Sequence, residues 1–396
     1  MNDLAINLMR LRKLNNLTQQ DVANAAGISR VAYRNLEKGD AEPRENTLLA
    51  LAKALNASAL ELLAPLPRLQ SLRYRANKEM SEQERAQGDQ VVARTGNWLH
   101  DFNELETLLG NRKPRLLKSA RKGTKPETAA AKLRKALLGD SASRDCVPDI
   151  RELLENAGVK IHLCDFQVLE VFGLSIGEAD GGPAMAINTG KKISVERQIF
   201  SIAHELGHLV LHKDSYGETA EELNDDQENE ADRFAAAFLM PEKQFLAEWN
   251  ENRGLHWIDA VLKTKRHFKV SYQAVLRQLI EMGKAEYPTV YKQFRADYET
   301  RYGQKLHWKE EPPLNPMPPA SSRPRTADFQ SAPPPPSRIA EEPRHLDPLD
   351  LMEDRLGSLV RDALDRELIT VSRAAEILDV RIEEMRERMK SWEVVS

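Results

Sequence analysis

Residues 204–208 read His-Glu-Leu-Gly-His, inside the apolar-periodic segment Ile199–Leu211. On a helix, residues four apart share a face, so both imidazoles can reach one ion. Glu205 projects one residue further round, close enough to hold and deprotonate a metal-bound water. The pattern therefore demands a helix here and a second element beside it, because a catalytic zinc takes three protein ligands and keeps one position open. Glu228 is the best third ligand: it starts a helix whose apolar face is Ala231, Phe234, Ala235 and Phe238. Glu230 is the runner-up, though it points about 200° away from Glu228 on an ideal helix. His212 continues the face of His204 and His208 at the wrong spacing for a third histidine ligand, and is read as structural or as support for a ligand. Asp232 either orients a ligating histidine or is a solvated acid near a helix start.

A chain of 396 residues exceeds what one core usually holds, so two or three domains are expected. Its apolar runs fall short of the roughly 20 residues of a membrane helix, and its N-terminus has no apolar stretch of signal-peptide length. The expected location is the cytoplasm, with no membrane partner. Cys146 and Cys164 form no CxxC pair and are read as reduced packing thiols. The net charge of -4 hides local asymmetry: Arg112–Lys135 carries ten Lys/Arg against one acid, and Glu218–Asp232 eight acids and no base. Eleven of the 21 prolines fall between Glu311 and Leu346, a segment too poor in buriable surface to order itself.

These shifts divide the chain into a helical module 1–63, a helical connector with the basic stretch 64–124, an α+β unit 125–250, a helical extension 251–310, a disordered Pro-rich linker 311–346 and a small helical module 347–396. Within the α+β unit, β-rich stretches are expected at Val159–Cys164, Val168–Ile176 and Ala184–Asn188, and helices near 194–213 and 226–238. The C-terminal module, acidic in its second half, suits a protein-contact or dimerisation role rather than phosphate binding.

Near the N-terminus, Thr18 and Asp21 form a capping-box-like start, Gly27 permits a tight turn, and Ser29 caps a helix over Arg30–Lys38 that ends at Gly39. Two short helices across a glycine turn fit the helix-turn-helix plan. The run L-T-Q-Q-D-V-A-x-x-A-G-I-S-R-x-x-Y-R-x-L-E-K-G resembles the Cro/C1-type (XRE) family over about 60 residues. That resemblance implies base reading by Arg30, Val31, Arg34 and Asn35, a phosphate contact steadied by Gln19, an Arg12–Glu37 ion pair, and a homodimer on a double-stranded DNA operator. Tyr33 takes a position that is usually aliphatic core and is read as structural.

Residues 197–212, R-Q-x-F-S-I-A-H-E-L-G-H-L-V-L-H, and 228–241, E-N-E-A-D-R-F-A-A-A-F-L-M-P, together resemble the ImmA/IrrE-type metallopeptidases. The resemblance implies that His204, His208 and Glu228 bind the metal, that Glu205 is the general base, and that the fold is gluzincin-like. A strand such as Ala184–Asn188 would then hold a peptide substrate by strand addition. Zn2+ suits this donor set, and Mn2+ is the alternative. The expected fold class is multidomain and mainly α: an all-α helix-turn-helix module, a central α+β gluzincin-like metallopeptidase, and a helical C-terminal region after the Pro-rich linker. The expected function is a DNA-binding repressor whose endopeptidase relieves repression in a stress or defence response, cutting itself or a partner regulator. The alternatives are a ligand sensor with a non-catalytic peptidase fold and an antitoxin of a toxin–antitoxin pair.

Overall fold

The structure is a computed structural model that describes all residues except 1–2, 16, 56, 64–68, 70, 74–81, 140–145, 168–170, 191–192, 217–224, 308–309, 313–354 and 394–396. The Pro-rich linker from 313 onward, parts of the first stretch of the connector and the acidic stretch up to 224 thus lie outside the described residues.

Helices α1 (Asp3–Leu14), α2 (Gln19–Ala25), α3 (Arg30–Lys38), α4 (Glu45–Ala54) and α5 (Ala59–Leu63) build the N-terminal module. Thr18 caps α2 in a reciprocal box with Asp21, and Ser29 caps α3, so each supplies an acceptor to an N–H that a helix start leaves unpaired. Gly27, between α2 and α3, has a φ of 68°, a left-handed conformation that favours glycine. Leu8, Val22, Ala23, Tyr33, Leu51 and Leu62 close the core of this module completely.

Further along come β1 (Leu72–Arg73), the 28-residue α6 (Glu82–Leu109), α7 (Pro126–Leu138), α8 (Ile150–Asn156), β2 (Lys160–Cys164), β3 (Gly173–Ile176) and β4 (Ala184–Asn188). The chain continues through α9 (Val195–Leu211), α10 (Asp225–Leu239), α11 (Glu242–Glu251), α12 (Trp257–Phe268), α13 (Tyr272–Glu281) and α14 (Thr289–Tyr302). It ends in α15 (Arg355–Asp365), α16 (Val371–Ile377) and α17 (Ile382–Glu393). The strands form one sheet in the order β1-β3-β4-β2, with β2 parallel to β4 and the other pairs antiparallel.

Side chains alternate across a strand, so the central β4 feeds two cores. Met185 and Ile187 of β4 face a core built with Ile199, Leu206, Phe234, Ile258, Val275 and Phe294. Ala184 and Ala186 face a second core with Trp98, Phe102, Leu359, Val360, Ala374 and Met385. The helical extension beyond 250 therefore shares a continuous core with α9 and α10. The apolar face of the C-terminal helices is buried within the chain, against α6 and the back of the sheet. Ion pairs reinforce that contact: Arg355 to Glu106 at 2.5 Å and Arg373 to Asp101 at 2.6 Å. The basic stretch also follows the surface of this unit, with Leu116 N–H donating to Ala157 O and Ala120 N–H to Val210 O. α1 lies against α6, which joins the N-terminal module to the rest. No helix among the described residues is long and apolar enough to cross a membrane.

Candidate metal centre and nucleic-acid interface

α9 starts at the N-cap Ser194 and carries both histidines on the face that meets α10. The crossing is close because Gly207 has no side chain: a Cβ there would lie 3.2 Å from Ala231 Cα and 3.3 Å from Ala231 O. That approach brings Glu228, at the first turn of α10, to the histidine pair. His204 Nε2 and His208 Nε2 are 3.0 Å apart, and the Glu228 oxygens lie 3.4 Å from each. A tetrahedral zinc with bonds of about 2.0–2.1 Å spaces its donors by roughly 3.4 Å, so the three side chains fit such an ion.

The imidazoles are oriented from behind. Asp232 Oδ1 is 2.9 Å from His204 Nδ1, and Glu230 Oε2 is 2.9 Å from His212 Nε2. A carboxylate only accepts, so neutral His212 donates through Nε2 and accepts at Nδ1 from His208 Nδ1–H, 2.9 Å away. Both Nδ1 atoms then have their partners, and both Nε2 atoms face the centre. Glu230 thus serves His212 and stands outside the donor triangle, while Asp232 holds a candidate ligand.

Charge in the centre is strongly perturbed. Burial disfavours a charged His204, but hydrogen bonds to Asp232 and Glu228 outweigh it and lift the imidazole to about 9. Glu228 sinks to about 2, since His204 and Arg73 overcome the effect of burial. The buried Glu205 carboxyl is pushed up to about 7, despite the opposing charge of His204 and a hydrogen bond from Ser175. A carboxylate near neutrality is matched to proton transfer at physiological pH.

Spacing gave no hint of several neighbours. Arg73, from β1, donates to Gln227 Oε1 at 2.6 Å and to Glu228 Oε1 at 3.1 Å. Tyr216 Oη lies 2.9 Å from Ser175 Oγ. Gly173 leaves room for Glu205: a Cβ there would meet Glu205 Oε1 at 2.8 Å. The expectation that Ala184–Asn188 receives a substrate strand is corrected. That segment is β4, hydrogen-bonded along both edges to β2 and β3, so it has no free backbone groups to offer. The strand beside Glu205 is β3.

In the N-terminal module, α3 leaves Arg30, Val31 and Arg34 exposed, with Asn35 half-buried beside them. Val31 is 60% exposed, so its methyl groups are open to contact with a base edge. Arg12 pairs with Glu37 at 2.5 Å, and Gln19 Nε2 donates to the same carboxylate at 2.7 Å. Tyr33 is wholly buried, with its hydroxyl donating to Leu8 O.

Comparison with known proteins matches residues 8–62 to the helix-turn-helix family model. The chain is 41% identical over 59 residues to the uncharacterized HTH-type transcriptional regulator y4dJ of Sinorhizobium fredii, covering 15% of this chain and 77% of that one. It is 38% identical over 60 residues to control protein C.SmaI of Serratia marcescens, covering 15% and 71%. The chain belongs to the helix-turn-helix transcriptional regulators. This regulator also carries, at residues 154–279, a match to the IrrE N-terminal-like domain of the peptidase M78 family. The match runs from the last turn of α8 into α13 and includes every residue of the donor triangle.

Proposed function

We propose that the regulator binds a double-stranded DNA operator as a homodimer through α3, and that its peptidase domain hydrolyses a peptide bond in a regulator chain, its own or a partner's, to relieve repression under stress. The observation that carries this reading is the donor triangle with Glu205 beside it, on the same chain as an exposed reading helix. Leu49, Leu60 and Leu63, exposed on α4 and α5, supply an apolar patch for the dimer.

In the proposed mechanism His204, His208 and Glu228 hold a zinc or manganese ion. When bound, such an ion acidifies its water and polarises the scissile carbonyl. Glu205 takes the proton of the attacking water and returns it to the leaving amine, a role suited to its raised pKa. Asp232 and the His212–Glu230 pair keep the ligand imidazoles in the tautomer that presents Nε2. Arg30 and Arg34 suit guanine edges, and Asn35 suits adenine.

The test is to incubate purified wild type and Glu205→Gln with zinc or manganese, with and without single-stranded DNA, and to follow chain length on a gel. Fragments are expected from wild type alone, and N-terminal sequencing should place the cut within 64–125. A cut confined to 311–346 would remove that site assignment. Full-length chains throughout, with metal bound and regulator partners supplied, would overturn the peptidase reading.

A further inference from the structure

The metal centre faces a sheet edge that is already occupied. Gly173 and Ser175 of β3 lie against Glu205 and Tyr216, so an extended peptide added to the outer edge of β3 would run past the candidate base. β1 takes that edge, with Leu72 opposite Ile176 and Arg73 opposite Ser175. Gly177 N–H donates to Ser71 O at 2.8 Å, and the Ser71 N–H and hydroxyl both donate to Asp180 Oδ2, at 2.6 and 2.7 Å.

The Arg73 side chain is only 4% exposed and reaches Gln227 and Glu228 in the centre itself. Its Nε is buried with no hydrogen-bond partner among the described residues. A buried guanidinium with an unmade bond is costly, and a two-residue strand offers few ladder hydrogen bonds in return. Both features suit a strand that leaves better than one that is permanent.

We propose that Ser71–Arg73 is an internal occupant of the substrate edge, a stretch of this chain that an incoming extended peptide must displace from β3 before it can be cut. The cutting rests on the peptidase reading above; the displacement does not.

The experiment uses the full-length, zinc-loaded protein with Leu72→Cys and Ile176→Cys in a Cys146→Ser background. Directly opposed residues of an antiparallel pair have Cα atoms about 4.5–5.5 Å apart, within disulfide reach. Fluorescein-labelled casein is the substrate, and amide exchange of residues 71–73 with excess unlabelled casein peptides is the second readout. Oxidation is expected to slow casein cleavage by about tenfold or more, with full recovery on reduction. Asp180→Ala, which loosens Ser71 without touching the donor triangle, is expected to speed cleavage several-fold. Casein peptides should lower the protection of 71–73 in the reduced protein and leave the bridged one unchanged. Equal cleavage by the bridged and reduced forms overturns the proposal. If no form cleaves casein, the peptidase reading is judged by the chain-length assay above, and protection of 71–73 that stays unchanged in the reduced protein overturns this inference separately.

Discussion

The two chemical regions of this regulator are built in opposite ways. The nucleic-acid module is assembled from some sixty contiguous residues, and its candidate readers Arg30, Val31 and Arg34 stand in the open on one short helix. The metal centre draws on β1, β3, α9 and α10, with Arg73 and Glu228 separated by 155 positions, and its working side chains are largely buried. A contiguous module can fail locally at its surface without disturbing its core. A centre assembled from distant segments depends on each close approach, Gly207 against Ala231 above all.

Damage to the metal centre should therefore be severe and confined to metal and cutting. His208→Ala removes one of three donors; isothermal titration with zinc should show a loss of affinity larger than the roughly 10–100-fold that an orienting partner costs. Operator binding by the same protein should stay at the wild-type level. Asp232→Ala leaves the triangle intact but unsupported behind His204, and should weaken zinc binding by about 10–100-fold in the same titration. Zinc binding equal to wild type would show that Asp232 is a solvated acid after all. On the other side of the comparison, Arg30→Ala and Arg34→Ala should each cost about 1–3 kcal/mol of operator binding by fluorescence anisotropy, with chain cutting unaffected. Loss of cutting in those variants would mean that the two regions are not independent.

An effect seen only in acid concerns the back of the sheet. His162 stacks on Trp98 with ring centroids 4.7 Å apart, and burial, helped by the charges of Arg94 and Arg151, pushes its pKa down to about 3. The unfolded chain binds this proton near pH 6.5, so between there and pH 3 unfolding takes up protons. Stability from this group is complete above pH 6.5 and is lost as the pH falls toward 3. Urea unfolding of wild type should show that decline, and His162→Gln should flatten it.

Much of this organisation was legible in the sequence because it is local. Helical spacing put His204 and His208 on one face, the apolar stripe of α10 placed Glu228 at its start, and the capping residues Thr18 and Ser29 framed the reading helix. Asp232 and His212 were legible only as alternatives, because the hydrogen bonds that settle them depend on how α9 and α10 cross. Arg73 was illegible: a two-residue strand has no periodicity, and its partner lies about a hundred residues away. The same reason made β4 look open to a further strand. Sequence reads β4 as the clean strand, but only pairing shows that both its edges are used. The C-terminal helices have an amphipathic pattern that signals burial without naming the surface that buries them.

The central claim is that cutting relieves DNA binding, and the most direct measurement follows both at once. Wild type and Glu205→Gln are bound to a labelled operator fragment selected by the wild-type protein, zinc is added, and anisotropy and chain length are recorded over the same time course. Wild type is expected to release DNA as its chains are cut, while Glu205→Gln holds both metal and operator with chains intact. Release of DNA by Glu205→Gln at the wild-type rate, or by wild type with every chain still full length, would contradict it.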